Sequence, residues 1–182
     1  MIEAEKAGHV PVMVREVLGA LKPFNDGLFV DSTFGQGGYS EAILKASGAT
    51  VIGIDCDPAA VKVGLRLTHK YHDRFTILEG RFGDIERLIK SQGISNVDGI
   101  AFDLGVSSIQ LDTPNRGFSF RTDGPLDMRM SSQGVTAADL INDTSEKELA
   151  NILYKFGEER QARRIARAIS EYRTEKPIKR TS

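Results

Sequence analysis

The chain has 182 residues, 40% hydrophobic and 27% charged, with a formal net charge of −1 and one cysteine, Cys56. This fits one globular domain with a real core. It excludes a global polycation, an internal disulfide and a Cys-cluster zinc site, and no apolar run reaches the roughly 18 residues of a membrane span. A single cysteine suits a reducing compartment, and Cys56 reads as a small buried residue. Met1–Lys6 carries neither a signal core nor an Arg-rich transit pattern, so a cytoplasmic location is expected. The charge is uneven. Lys155–Ser182 holds nine Lys and Arg against four Asp and Glu.

Residues 11–21 have a helical pattern, with Val14, Val17, Leu18 and Leu21 on one face. Leu28–Asp31 is predicted as a strand, and Tyr39–Ala46 as a helix ended by Gly48. Val51–Asp55 is a second strand, and Pro58 opens a helix through Leu67. Phe75–Leu78 is a third strand. Asp84 reads as the N-cap of a helix through Ser91, and Val97–Leu104 is a fourth strand. Strands alternating with helices predict an α/β fold with a parallel, doubly wound sheet. Such sheets bind ligands beyond the carboxyl ends of their strands. The predicted ends are Asp31, Asp55, the turn at Gly80–Asp84 with Phe82, and Asp103.

The first two strands carry the strongest signal. Phe29-Val30-Asp31-Ser32-Thr33-Phe34-Gly35-Gln36-Gly37-Gly38 runs from strand through a glycine loop into a helix, and the next strand ends on Asp55. That is how a Rossmann-type unit holds a nucleoside, with the acid on the ribose hydroxyls. The dinucleotide pattern G-x-G-x-x-G fails here, because Ser40 stands at its third glycine. Asp31 also ends the first strand. A carboxylate there opposes a pyrophosphate and suits a cationic cofactor without phosphate, such as S-adenosylmethionine (SAM). A dehydrogenase is disfavoured on the same two residues, and a bare glycine turn would leave Asp55 without a reason.

After Gly105 the chain changes character. Residues 106–134 form a long segment rich in Gly and Pro that also carries Phe118, Phe120, Leu126, Met128 and Met130. It is too apolar for a free linker and must fold onto something. Helices follow over residues 136–142, 145–156 and 158–172. Ser145 and Glu148 read as a capping box, and Ile165, Ala168, Ile169 and Tyr172 form a stripe on the last helix. Only four strands are counted, and none follows the helices. Either the chain is a fragment or the fold is curtailed.

Three further stretches are much more specific. They are Asp103-Leu104-Gly105-Val106-Ser107-Ser108-Ile109-Gln110-Leu111-Asp112, Arg116-Gly117-Phe118-Ser119-Phe120, and Asp123-Gly124-Pro125-Leu126-Asp127-Met128-Arg129-Met130. They closely resemble the ribosomal RNA small subunit methyltransferase H family, which methylates a cytidine of 16S rRNA at N4 using SAM. The resemblance extends to His9-Val10-Pro11-Val12-Met13, the glycine loop, residues 154–161 and residues 163–169. It implies a Rossmann-like class I SAM-dependent methyltransferase core over residues 1–110. Residues 111–182 would be a substrate-facing loop and the start of an inserted helical domain, with C-terminal strands missing. It implies SAM contacts at Gly37, Gly38, Tyr39, Asp55, Phe82, Asp103 and Gln110. Tyr39 stands where many members have His, and Ile109 where many have Pro. The implied partner is small-subunit ribosomal RNA in its decoding region. A homodimer is left open.

An exocyclic cytidine amine is a poor nucleophile. The site must align it with the methyl-sulfonium at about 3 Å and accept its N–H. Asp103 is the catalytic candidate, anchoring either the SAM amino group or the target amine; the alternative is that it merely caps the turn. The base must be unpaired or flipped to enter. Arg116, Phe118, Phe120, Arg121 and Arg129 mix cations and aromatics as single-strand RNA surfaces do, although Phe118 and Phe120 fit equally as packing anchors. Arg160, Arg163, Arg164 and Arg167 form a basic face that fits RNA or a solvated face paired with Glu158, Glu159 and Glu171. His9 reads as packed beside Pro11. No acid and histidine spacing resembles a structural metal site. The rival readings are an amino methyltransferase acting on DNA or another RNA, and a truncated SAM- or RNA-binding module without activity.

Overall fold

A computed structural model of the chain describes residues 11–182. His9 and Val10 therefore lie outside the described residues. The chain divides into two compact units, one running to Ile109 and one over Gln110–Ser182.

The first unit is built on four parallel strands, β1 (Leu28–Asp31), β2 (Thr50–Asp55), β3 (Phe75–Glu79) and β4 (Gly99–Ala101), in the order β3-β2-β1-β4. The connecting helices are α1 (Val14–Leu21), α2 (Gly38–Ala46), α3 (Pro58–Tyr71) and α4 (Ile85–Ser91). This is the α/β, Rossmann-like fold expected. Side chains alternate along each strand and both faces are covered, so the strands read as nearly continuous apolar runs. Phe29, Val51 and Phe75 pack on one face with Phe34, Ile43 and Leu44. Val30, Ile52 and Ile54 pack on the other with Leu88 and Ile89. The Asp57 carboxylate accepts the Ala59 N–H at 2.9 Å and caps α3, with Pro58 in its first turn.

β1 lies between β2 and β4. The chain leaves β1 toward one edge and returns on the other side. That reversal opens a crevice at the carboxyl ends of β1 and β4, where doubly wound sheets place their ligands.

Several boundaries differ from the sequence expectations. β4 stops at Ala101, so Asp103 stands two residues past the strand instead of ending it. The Ala101 carbonyl accepts the Ser32 N–H, and the Asp103 N–H donates to Thr33 Oγ1 at 2.7 Å. The chain beyond β4 is thereby tied to the loop after β1 instead of continuing the ladder. The first helix starts at Val14 because Met13 adopts a left-handed backbone with φ 56°. Asp84 occupies the N-cap of α4 but makes no capping hydrogen bond; it pairs with Arg87 at 3.5 Å.

Past β4, α5 (Ser108–Asp112) opens the segment expected to be a loop, and in the second unit a 3-10 turn covers Pro114–Arg116. α6 (Ala137–Asp143), α7 (Glu146–Gly157) and α8 (Ala162–Glu175) follow. The reciprocal capping box lies at Thr136 and Asp139. Ser145 does cap α7, but Glu148 bonds back to the Ser145 hydroxyl, not to its N–H. Glu158 takes a left-handed backbone with φ 52°, which ends α7 and delays α8 to Ala162. Leu149, Ala150 and Ala166 form the buried seam between α7 and α8. No helix among the described residues is long and apolar enough to cross a membrane.

Candidate functional site

The crevice of the first unit is built on Asp31. Its carboxylate is almost fully buried, and Oδ2 accepts the Ser40 N–H at 3.1 Å and the Ser40 hydroxyl at 2.7 Å. Oδ1 has no hydrogen-bond partner among the described residues. Burial pushes the Asp31 pKa up to about 6. The Ser40 hydrogen bonds oppose that shift, and the nearby Asp55 charge adds to it. Ser40, which breaks the dinucleotide pattern, is thus the residue that receives the strand-end acid.

The loop between them is shaped by packing. Gly37 has φ +80°, and a Cβ there would lie 2.7 Å from the Phe34 ring. A Cβ on Gly38 would lie 1.9 Å from Pro11 Cγ. The space beside Gly38 is therefore taken by Pro11. Tyr39 holds the residues next to Pro11, its hydroxyl donating to the Val12 carbonyl at 2.5 Å. Tyr39 is buried, and burial followed by the charges of Asp103 and Asp31 raises its pKa.

Asp55 ends β2 as expected. Its Oδ2 accepts the Gly35 N–H at 2.8 Å, and Oδ1 accepts the Asp57 N–H at 2.9 Å. One carboxylate joins the glycine loop to the start of α3, and each oxygen keeps a further lone pair for a hydroxyl. Burial raises its pKa. Cys56 is only partly buried, a departure from the buried residue expected, and desolvation raises its thiol pKa. That favours an unreactive thiol.

Phe82 is 49% exposed and meets Phe102, also 49% exposed, edge to face at 6.1 Å between ring centroids. Asp103 is exposed next to that pair. The electrostatics link the groups, since Asp31 feels Asp55 and Tyr39 feels both Asp103 and Asp31. The first unit therefore brings together Gly37, Gly38, Tyr39, Asp55 and Asp103, with Phe82 beside Phe102. Gln110 is buried and belongs to the second unit. Sequence reasoning missed Thr33, Ser40 and Phe102 as parts of this neighbourhood. The signal for Ser40 was available: a hydroxyl at the third residue of a helix, nine residues after a strand-end acid, can reach back to it.

In the second unit the five RNA candidates separate into two groups. Arg129 is committed internally, its Nε and Nη2 meeting the two oxygens of Asp127 at 2.9 and 2.7 Å. Arg116 donates to the Arg129 and Met130 carbonyls and lies over the Phe118 ring at 5.8 Å. Phe118 is half-buried. These three side chains hold the loop together. Phe120 is 91% exposed and Arg121 is exposed beside it.

The sequence profile of the MraW methylase family matches residues 6–182. The ribosomal RNA small subunit methyltransferase H of Paramagnetospirillum magneticum is 57% identical over 173 residues, covering 95% of this chain and 54% of that protein. Its namesake in Rhodospirillum rubrum is 57% identical over 174 residues, 96% of this chain and 53% of that protein. The chain spans about half the length of the curated relatives it matches. Among solved structures, an rRNA methylase from Streptococcus thermophilus overlaps with a TM-score of 0.41 at 17% identity, over 56% of this chain and 58% of that one. The profile match takes in all but the first five residues, and the chain belongs to the MraW methylase family.

Proposed function

We propose that this chain binds SAM in the crevice of its first unit and serves the N4-methylation of a cytidine in the decoding region of small-subunit ribosomal RNA. One observation carries the cofactor: Asp31, Asp55 and Asp103 gather at the reversal point of the sheet, with Asp31 buried and its Oδ1 unpartnered. A pyrophosphate would meet a negative field there, whereas a ligand with sulfonium and ammonium charges would meet an attractive one. The residues present fit SAM on that test. The relatives named above supply the acceptor class.

When bound, SAM supplies an electrophilic methyl group on sulfur. The chain's own residues supply position and charge. Asp55 keeps lone pairs for the ribose hydroxyls while its backbone hydrogen bonds hold the carboxylate still. Phe82 offers an exposed ring face to adenine, braced by Phe102. Asp31 acts by field from beneath the loop. Asp103, fixed through its N–H on Thr33, presents a carboxylate at the crevice mouth that accepts an N–H from the SAM ammonium or the target amine. In the transfer the new N–C bond would form as the methyl–sulfur bond breaks, leaving a neutral thioether; the Asp103 carboxylate would stabilise the positive charge left on the amine until its proton passes to that carboxylate or to solvent. Phe120 and Arg121 fit stacking and phosphate contact with an unpaired strand.

The test is transfer of labelled methyl from SAM to small-subunit rRNA, with nucleoside analysis of the product. The reading expects N4-methylcytidine and its loss in Asp103→Ala. Label on another nucleoside would refute the position, and label appearing only on DNA would refute the acceptor.

A further inference from the structure

We infer that the groove between α7 and α8 is a second, sequence-independent contact for the phosphate backbone of the RNA. The inference rests on the RNA reading above and deepens it.

The groove has a volume of about 650 Å³ and is lined by Glu146, Lys147, Ala150 and Asn151 of α7 and by Arg163, Arg164 and Arg167 of α8. The spacing explains its shape. Residues 146, 147, 150 and 151 share one face of α7, and 163, 164 and 167 share one face of α8. Ala150 is small and buried, so the helices meet closely at the floor while the long side chains rise on the walls.

Its charge is unbalanced. Three arginines and one lysine stand against one carboxylate. Arg163, Arg164 and Arg167 are exposed, and among the described residues none of them, nor Lys147, lies in an ion pair. The pairing with Glu158, Glu159 and Glu171, the alternative for this face, is not found among the described residues. Arg164 makes one neutral hydrogen bond, to the Gln161 side chain at 3.2 Å. Elsewhere in the chain exposed cations do find partners, as in Lys90 with Glu86 and Arg180 with Asp123. The first turn of α8 adds the positive end of its dipole beneath Arg163 and Arg164. Arginine forks grip phosphate oxygens in pairs, and a groove open to solvent admits a strand along its length. Charge complementarity therefore selects a polyanion, and the acceptor proposed above supplies one.

The test is binding of a labelled polyuridylate strand across a salt series, for the 182-residue chain and its variants. Each phosphate contact to a single strand adds about 0.7 to the slope of log K against log salt. Replacing both Arg163 and Arg167 by Gln should make the slope shallower by about 1.4 and weaken low-salt binding on the order of tenfold. The double Arg→Lys variant should keep most of the slope. Glu146→Gln should tighten binding, an outcome no folding defect produces. Unchanged slope and affinity in the double Gln variant, with intact RNA binding, would overturn the groove and leave the RNA reading standing. A wild-type chain that binds polyglutamate through these arginines but not polyuridylate would assign the groove to an acidic protein surface and overturn it. Failure of the wild type both to bind RNA and to methylate it would remove the underlying reading as well.

Discussion

Asp31 and Ser40 form one buried unit, the Asp31 Oδ2 accepting both the backbone N–H and the hydroxyl of Ser40 at 3.1 and 2.7 Å. In sequence they are two separate departures from the dinucleotide pattern. In the fold they are one device that seats a negative charge at the base of the glycine loop. Removing the hydroxyl leaves the carboxylate with fewer donors in a buried setting. Ser40→Ala is expected to cost about 1–3 kcal/mol. Ser40→Gly, which restores the dinucleotide pattern, should cost at least as much, since Gly also weakens a helix interior. Urea unfolding of both variants checks this; a Gly variant as stable as wild type contradicts it.

The pH dependence follows from the same carboxylate. Its folded pKa, about 6, lies above the ordinary aspartate value of 3.8, so the folded state holds the proton more tightly. The favourable contribution is complete below the unfolded value and is lost as pH rises through about 6. Asp31→Asn keeps an oxygen for Ser40 and removes the buried charge. The stability of the Asn variant relative to wild type should therefore grow by up to roughly 3 kcal/mol between pH 4 and pH 8. The same variant should bind SAM more weakly at pH 8. A difference that stays flat with pH would contradict the assignment.

The fold was largely readable because its strands are short apolar runs ending in acids or turns. β1 falls where the pattern puts it, and β2 begins one residue early. β4 was overestimated because Phe102 and Leu104 continue the apolar run. What ends that strand is the hydrogen bond from the Asp103 N–H to Thr33, a contact 70 residues away in sequence. α5 has five residues, too few for a periodicity. The break before α8 rests on Glu158 in a left-handed conformation, which a non-glycine residue adopts at a cost and does not advertise. At the site, the acids and the loop were visible in the chain. The division of the RNA candidates was not, because Asp127, which ties down Arg129, is two residues away and no spacing rule distinguishes a loop salt bridge from a free arginine.

The packing of Pro11 on Gly38 makes a separate prediction. Gly38→Ala gains helix propensity but places a methyl group where Pro11 Cγ sits, 1.9 Å away. Residues 11–13 must move, and the Tyr39–Val12 hydrogen bond should open. Overpacking of this kind costs about 1–3 kcal/mol. Hydrogen exchange of residues around Val12 and Met13 should accelerate in the variant, and Tyr39→Phe should reproduce part of that acceleration. Unchanged exchange in Gly38→Ala would mean that Pro11 does not rest on the loop.

Phe82 and Phe102 should differ in effect. Phe82→Ala removes the ring proposed for adenine and should weaken SAM binding about tenfold or more, within the roughly 1–3 kcal/mol of a stacking contact. Phe102→Ala removes only its edge-to-face brace and should weaken binding less, by an amount near the 0.5–1.5 kcal/mol of an aromatic pair. Equal losses, or a larger loss for Phe102, would reverse the roles.

The most direct test of the cofactor site is calorimetric titration of SAM into the 182-residue chain and its Asp55→Ala variant at pH 8. Asp55 joins the glycine loop to α3 and is the residue proposed for the ribose hydroxyls, so its removal should abolish measurable binding while SAM binds the wild type at one site. Equal SAM affinity in the two proteins would contradict the pocket assigned here.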